Sequence, residues 1–336
     1  MQFDLMSWTL EDYKAAMADD EFFEHVKTKF TSTDESVPPE EREQLLEEKF
    51  YVAGGSARYM FDFSLSEVAA SLDKAIAAVE DIKKYFTDTR GASSEGVINR
   101  LFSWYRVEQT GKAVSRLVSK YVAKEIAEKL GPDYVQNIAN SLTSTPVFEL
   151  WFFAKLSHGG VWTKKKDQNL EIISHDTWKA DNGVPFFDPK HSIPVNQGQQ
   201  WLAPRKWNQG GYDAMYVEMF DGAGKPTVQV RFVQASRGDK HSFVHEFFVT
   251  LLHKLTDSFQ GYQFKSVEVY FAIPISKLRV FDPKVDALQV RRHVLEPAGL
   301  PETTRNVIEI VGLDYKEFRE SDHPMREQTK RPNTSL

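Results

Sequence analysis

The chain has 336 residues, with 42 Lys and Arg against 48 Asp and Glu for a formal charge of −6. That balance excludes a uniformly basic nucleic-acid coat, which needs excess positive charge to neutralise phosphates, though it leaves room for a local basic cleft. There is no Cys, which excludes disulfides, Cys-ligated zinc, iron–sulfur clusters and thiol nucleophiles.

At ~150 residues per domain the length predicts about two domains. No apolar run approaches the ~18–20 residues of a membrane span, so no membrane association is expected. The opening Met1–Leu10 lacks the basic and apolar regions of a signal peptide.

Residues 1 to 30 read as short helices, with Trp8, Leu10, Tyr13, Ala16 and Met17 at helical spacing. Thr31 to Glu43 is polar, acidic and Pro-bearing, and predicts a loop. The run Phe50 to Phe61 then carries Gly54-Gly55-Ser56-Ala57-Arg58. It fits neither the P-loop nor the dinucleotide fingerprint, and Gly111-Lys112-Ala113 lacks the rest of a P-loop as well, so no nucleotide hydrolysis by this chain alone is expected. A tight turn before a helix is the plain reading of the two glycines. Ser64 and Glu67 make a capping box for a helix with Leu65, Val68, Leu72, Ile76 and Val79 on one stripe. A second helical stretch is expected from Val97 to Leu130, broken at Gly111, which makes the first ~140 residues almost wholly helical.

The pattern changes after Gly131-Pro132. Thr145-Pro146 opens a helix whose body, Val147 to Leu156, is apolar nearly all round and should be buried, with Gly159-Gly160 as its stop. Strands are expected at Val161–Lys164 and Leu170–Ser174, followed by a long loop from Lys179 to Lys206. Tyr212–Phe220 and Thr227–Ser236 flank a Gly-containing turn and predict a hairpin. A helix from Lys240 to Leu255, a buried strand from Ser266 to Pro274 and a polar, disordered tail from Ser321 complete the chain.

The second half therefore reads helix, three sheet strands, helix, strand. This order resembles the αβββαβ core of restriction-endonuclease-like nucleases, and the chain is assigned an α+β or α/β architecture: a helical region followed by such a core. That fold places an Asp at the start of its second core strand and an acid-x-Lys pair on its third. Here Asp213 opens the second hairpin strand and Gln234-Ala235-Ser236 ends the third. Residues i and i+2 on a strand share a face, so Gln234 and Ser236 should project together beside Asp213.

Such a site needs oxygen ligands for Mg²⁺, or Mn²⁺, and a positioned water. Glu149 is the one acid in its apolar helix and sits where family members add a ligand; an unpaired buried carboxylate is costly. The metal set is then Glu149, Asp213 and Gln234. Gln234 replaces a charge with an amide carbonyl, and Ser236 lacks the cation, which Lys240 or Arg237 would supply from shifted positions. His241 and His245, at i and i+4, share a helix face, and His241 is placed to reach a phosphate or metal. Lys164, Lys165, Lys166, Arg205, Lys206 and Arg237 are candidates for a phosphate track, and Trp207 and Tyr212 for base stacking. Taken singly, each has a blander reading. A strand-start Asp usually bonds a turn, Gln and Ser are ordinary edge residues, and Glu149 would pair with Lys155 or an Arg.

Trp8-Thr9-Leu10-Glu11-Asp12-Tyr13-Lys14-Ala15-Ala16 and Lys49 to Phe61 resemble the end of the NTPase module of Crinkler (CRN) effectors. Gly211-Tyr212-Asp213-Ala214, Val230 to Gly238 and His241-Ser242-Phe243 resemble the nuclease-like domain that follows it. Retrotransposon-hot-spot proteins share that architecture. The resemblance implies an NTPase-lid region at 1–136 without its P-loop, a nuclease domain at 137–320 and a tail at 321–336, as in a C-terminal piece of a longer effector. Arg58 would be a nucleotide-sensing arginine left without its P-loop. The resemblance further implies secretion, translocation into a host cell and action in the host nucleus, altering immunity or causing cell death.

Three functions follow as expectations: a metal-dependent nuclease on host DNA or RNA, a degenerate nuclease fold that binds nucleic acid, or an effector that grips a host nuclear protein. No cofactor motif or nucleophile–base set supports a metabolic enzyme.

Overall fold

The computed structural model describes residues 6–31, 37–78, 100–106, 113–138, 147–167, 169, 171–187, 193, 198–204, 212–221, 224–236 and 243–315. Helices α1 (Leu10–Met17), α2 (Asp20–Val26), α3 (Pro39–Ala53), α4 (Ala57–Phe61) and α5 (Leu65–Ala78) form the first part. Thr9 caps α1 with a full capping box, Asp19 caps α2, and Ser64 with Glu67 closes the predicted box on α5. Helix α3 begins inside the expected loop, because Pro39 suits a first turn and the acidic residues after it favour a helix N-terminus.

The stretch from Val97 is not a continuous helix. Strands β1 (Phe102–Arg106) and β2 (Ala113–Leu117) pair antiparallel, Phe102 opposite Leu117, and only then does α6 (Lys120–Leu130) begin, capped by Ser119. Aromatic and β-branched residues at short spacing fit a pleated strand better than they fit a helix. The hairpin packs on the glycine turn. Gly54 has φ +57, and a Cβ there would lie 1.6 Å from the Val118 carbonyl oxygen; at Gly55 a Cβ would meet the Tyr105 hydroxyl at 2.3 Å. Close backbone approach thus accounts for Gly54, and the packed Tyr105 and Ser7 side chains account for Gly55.

After α7 (Pro132–Ile138) and the buried α8 (Val147–Ser157), the chain builds an eight-stranded mixed sheet. Its strands are β3 (Val161–Lys166), β4 (Ile172–Trp178), β5 (Phe186–Phe187), β6 (Gln199–Pro204), β7 (Ala214–Phe220), β8 (Thr227–Ala235), β9 (Gln263–Pro274) and β10 (Arg305–Leu313). Their order across the sheet is β4-β3-β10-β9-β8-β7-β6-β5. Strands β6, β7 and β8 form an antiparallel meander, and α9 (His245–Ser258) carries the chain over to β9, parallel to β8. A second crossover, through α10 (Ala287–Val290) and a π-helical turn (Arg291–Leu295), places β10 parallel to β9.

The loop expected from Lys179 to Lys206 holds β5 and β6, and β10 lies beyond the last expected strand. The expected tail from Ser321 lies outside the described residues.

The sheet separates two cores. On one face Phe248, Leu251, Leu252 and Leu255 of α9 meet Val230, Phe232, Val269 and Phe271. On the other, α8 and the N-terminal helices share one core with Trp201, Val233, Tyr270 and Ala272. That core takes residues from both sides of position 136. No helix among the described residues is long and apolar enough to cross a membrane.

Candidate functional site

Helix α8 buries its apolar residues on all sides, and this carries Glu149 inward until 9% of it is exposed. Asp213 lies immediately before β7. Its N–H donates to the Val233 carbonyl at 2.8 Å, extending the β7–β8 ladder by one bond, and its Oδ2 accepts from the Ala235 N–H at 2.6 Å. Both carboxyls line one small pocket with Tyr51 of α3, Phe153, Phe186, Ala203, Pro204 and Tyr212. Its volume of about 10 Å³ is that of a single water site. It opens at the end of the sheet where the parallel strands β8, β9 and β10 finish, the usual place for ligands in open α/β sheets.

Burial pushes both carboxyls upward. For Glu149 the neighbouring Asp213 adds to the rise, while Lys120 and Lys124 oppose it; for Asp213 the Ala235 N–H opposes it. Burial wins at both, since a carboxylate out of water with a like charge beside it favours the protonated form. Lys120 is in turn lowered to about 8 by burial, with Glu149 pulling it back up. Lys124 is fully buried: its Nζ lies 2.7 Å from Glu128 and donates to the Val184 carbonyl at 3.0 Å, above the Phe186 ring. The Tyr212 hydroxyl is buried without a hydrogen-bond partner among the described residues.

Strand alternation turns Gln234 away from this pocket. Gln234 pairs with Phe271 and shares the face of Phe232, against α9, whereas Val233 and Ala235 face α8. Its side-chain oxygen is buried and unpartnered among the described residues, and the Ser236 N–H donates to the Ala272 carbonyl. The structure therefore brings together Glu149 and Asp213, and it leaves Gln234 on the opposite face. Arg205, Lys206, Trp207, Arg237, Lys240 and His241 lie outside the described residues.

The lysine run is partly engaged inside the sheet. Lys165 lies 3.6 Å from Glu309 and Lys166 donates to the Arg279 carbonyl at 3.3 Å, while Lys164 is half-buried on β3 opposite Gly312. Tyr212 packs on Phe232 and Phe248 and is not presented for base stacking. Arg58 is exposed, 3.9 Å from Asp62, and lines a cavity of about 690 Å³ with Arg100, Ser7, Ser56 and Ser103. Among the described residues no three His, Asp or Glu side chains gather as a metal cage.

Sequence reasoning missed Lys120 and Lys124. The signal was present: two lysines at i and i+4 on a helix whose Tyr121, Val122, Ala123, Ile126 and Ala127 are all buried. A charge on such a face is retained when a counter-charge or a set of acceptors meets it. Compared with known proteins, the chain matches no family model, no curated protein and no solved structure.

Proposed function

We propose that the chain is a metal-dependent, nuclease-like module acting on nucleic acid, with Glu149 and Asp213 as its acidic pair. The observation that supports this reading is the meeting of two buried carboxyls, from α8 and from the start of β7, in one water-sized pocket at the sheet end. The element order α8, β6-β7-β8, α9, β9 and its strand pairing support a restriction-endonuclease-like core.

The residues fit a hard divalent ion. Mg²⁺ is commonly held by one or two carboxylates together with substrate phosphate and water, and Asp213 keeps Oδ1 outside its bond to Ala235. Bound there, the ion would acidify a water and offset charge on phosphorus. The chain's own part is positional. The Ala235 N–H fixes the Asp213 carboxyl, α8 fixes Glu149, and Lys120 and Lys124 set the positive field around them. Under the Crinkler resemblance the target is host nuclear DNA or RNA, and the outcome is altered immunity or cell death.

A second reading, binding without cleavage, is favoured by one observation: neutral Gln234 stands on the far face and brings no charge to the acid pair. Incubation with plasmid DNA and with RNA, in Mg²⁺ or Mn²⁺, separates the two. The nuclease reading expects cleavage that disappears with chelator and in Asp213→Ala. Salt-sensitive binding with no cleavage in either metal replaces it with the second.

A further inference from the structure

We propose that His245 and His293 form a second cation site, for a borderline transition ion such as Zn²⁺ or Ni²⁺, on the sheet face opposite the acid pair. His245 opens α9, and His293 lies in the π-helical turn Arg291–Leu295 that packs against α9. The two imidazole rings stand 5.1 Å apart, centre to centre, with planes inclined at 56°.

That spacing has a chemical meaning. A Zn–N bond of about 2.0–2.1 Å, plus about 1.1 Å from nitrogen to ring centre, puts the ion about 3.2 Å from each ring centre. A tetrahedral angle at the ion then separates the ring centres by about 5.2 Å. The observed spacing therefore suits two histidines sharing one tetrahedral ion.

A second observation points the same way. Nε2 of His245 is buried and has no hydrogen-bond partner among the described residues. Buried polar atoms are nearly always partnered, and an orphan calls for an explanation such as an ion. Burial and the neighbouring His293 hold His245 below the ordinary imidazole range, which keeps its ring neutral and able to donate a lone pair at neutral pH. His293 is exposed, so water would complete the remaining positions of a bound ion. Imidazole selects Zn²⁺, Ni²⁺ or Cu²⁺ over Mg²⁺ and Ca²⁺, which prefer oxygen. π-turns inside helical segments recur at functional sites, in keeping with His293 being placed by one.

The test is calorimetric titration of the full, untagged, chelator-stripped chain with ZnCl₂ and with NiCl₂, alongside thermal melts. With MgCl₂ in excess to occupy the acid pair, one equivalent of Zn²⁺ or Ni²⁺ should still bind and should raise the melting temperature. Loss of a supporting residue behind a ligand already costs about tenfold or more in affinity, so His293→Ala and His245→Gln should each lose at least that. His293→Ala alters an exposed side chain and keeps the test readable if the His245 variant folds poorly. Absence of binding by the parent chain, or undiminished affinity in His293→Ala, overturns the proposal.

Discussion

Asp213 is held by two opposed influences, a short bond from the Ala235 N–H that favours its charge and a burial that disfavours it. The sign of the resulting pH dependence follows. The folded carboxyls at 149 and 213 titrate above their unfolded values, so from about pH 4 upward the unfolded chain releases its protons first and the fold loses stability until the folded groups ionise. Asp213→Asn keeps an oxygen for the Ala235 N–H and removes one charge. It should exceed the parent by on the order of 1–3 kcal/mol at pH 8 in urea unfolding, and match it near pH 4. A gain of equal size at both pH values would assign the effect to packing. Millimolar Mg²⁺ at pH 8 should narrow the gap by stabilising the parent alone. Both acids were legible in the sequence, Glu149 from its apolar helix and Asp213 from its place before a strand. The face taken by Gln234 follows from its two-residue offset from Phe232, a relation that the acid-x-Lys template overrode. Lys120 needed α8 to reveal Glu149, whereas Lys124 has Glu128 one turn on along its own helix.

Among the elements, β8 shows best how the sheet's α8 face is assembled. Arg231 pairs with Glu268 on β9 at 2.8 Å, reaches Asp176 on β4 at 3.6 Å, and lies over the rings of Trp178, Tyr216 and Tyr270. Both members of the closer pair are largely buried. Arg231→Ala should cost about 3–5 kcal/mol in denaturant unfolding because it strands Glu268, and a Met at both 231 and 268 should recover most of that loss. If Arg231→Ala costs no more than a surface substitution, the pair is solvated in solution. Helices α1, α5, α8 and α9 could be read from caps and stripes, and β7–β8 from its alternation. The β1–β2 hairpin could not, because short aromatic and apolar runs satisfy helix and strand periods alike. Strand β6 lay hidden because Gln and Pro at its ends read as loop, although Trp201, Leu202 and Ala203 fill its interior.

At the scale of the whole molecule, β10 is the piece that makes one sheet of two. It lies between β9, which it meets along its full length, and β3, which it meets through Gly312 and Leu313. Its parallel pairing is set by contacts distant in sequence, which local periodicity does not carry, and this is why the sheet's size was not legible. A chain ending at Pro301 should therefore lose cooperative unfolding and gain proteolytic sensitivity across β3 and β4, measurable by denaturant titration and limited digestion; a cooperative transition in that truncation would contradict the role given to β10. The same topology sets an order of events at the ribosome. Strand β3 begins at Val161 and its partner β10 ends at Leu313, so about 150 further residues must be made first, which at 5–20 residues per second is roughly 8–30 s. For that interval the nascent β3–β4 hairpin, with Trp162 68% exposed even in the finished fold, presents an open edge to whatever meets it, and β10 is what retires that edge from chaperone and protease alike.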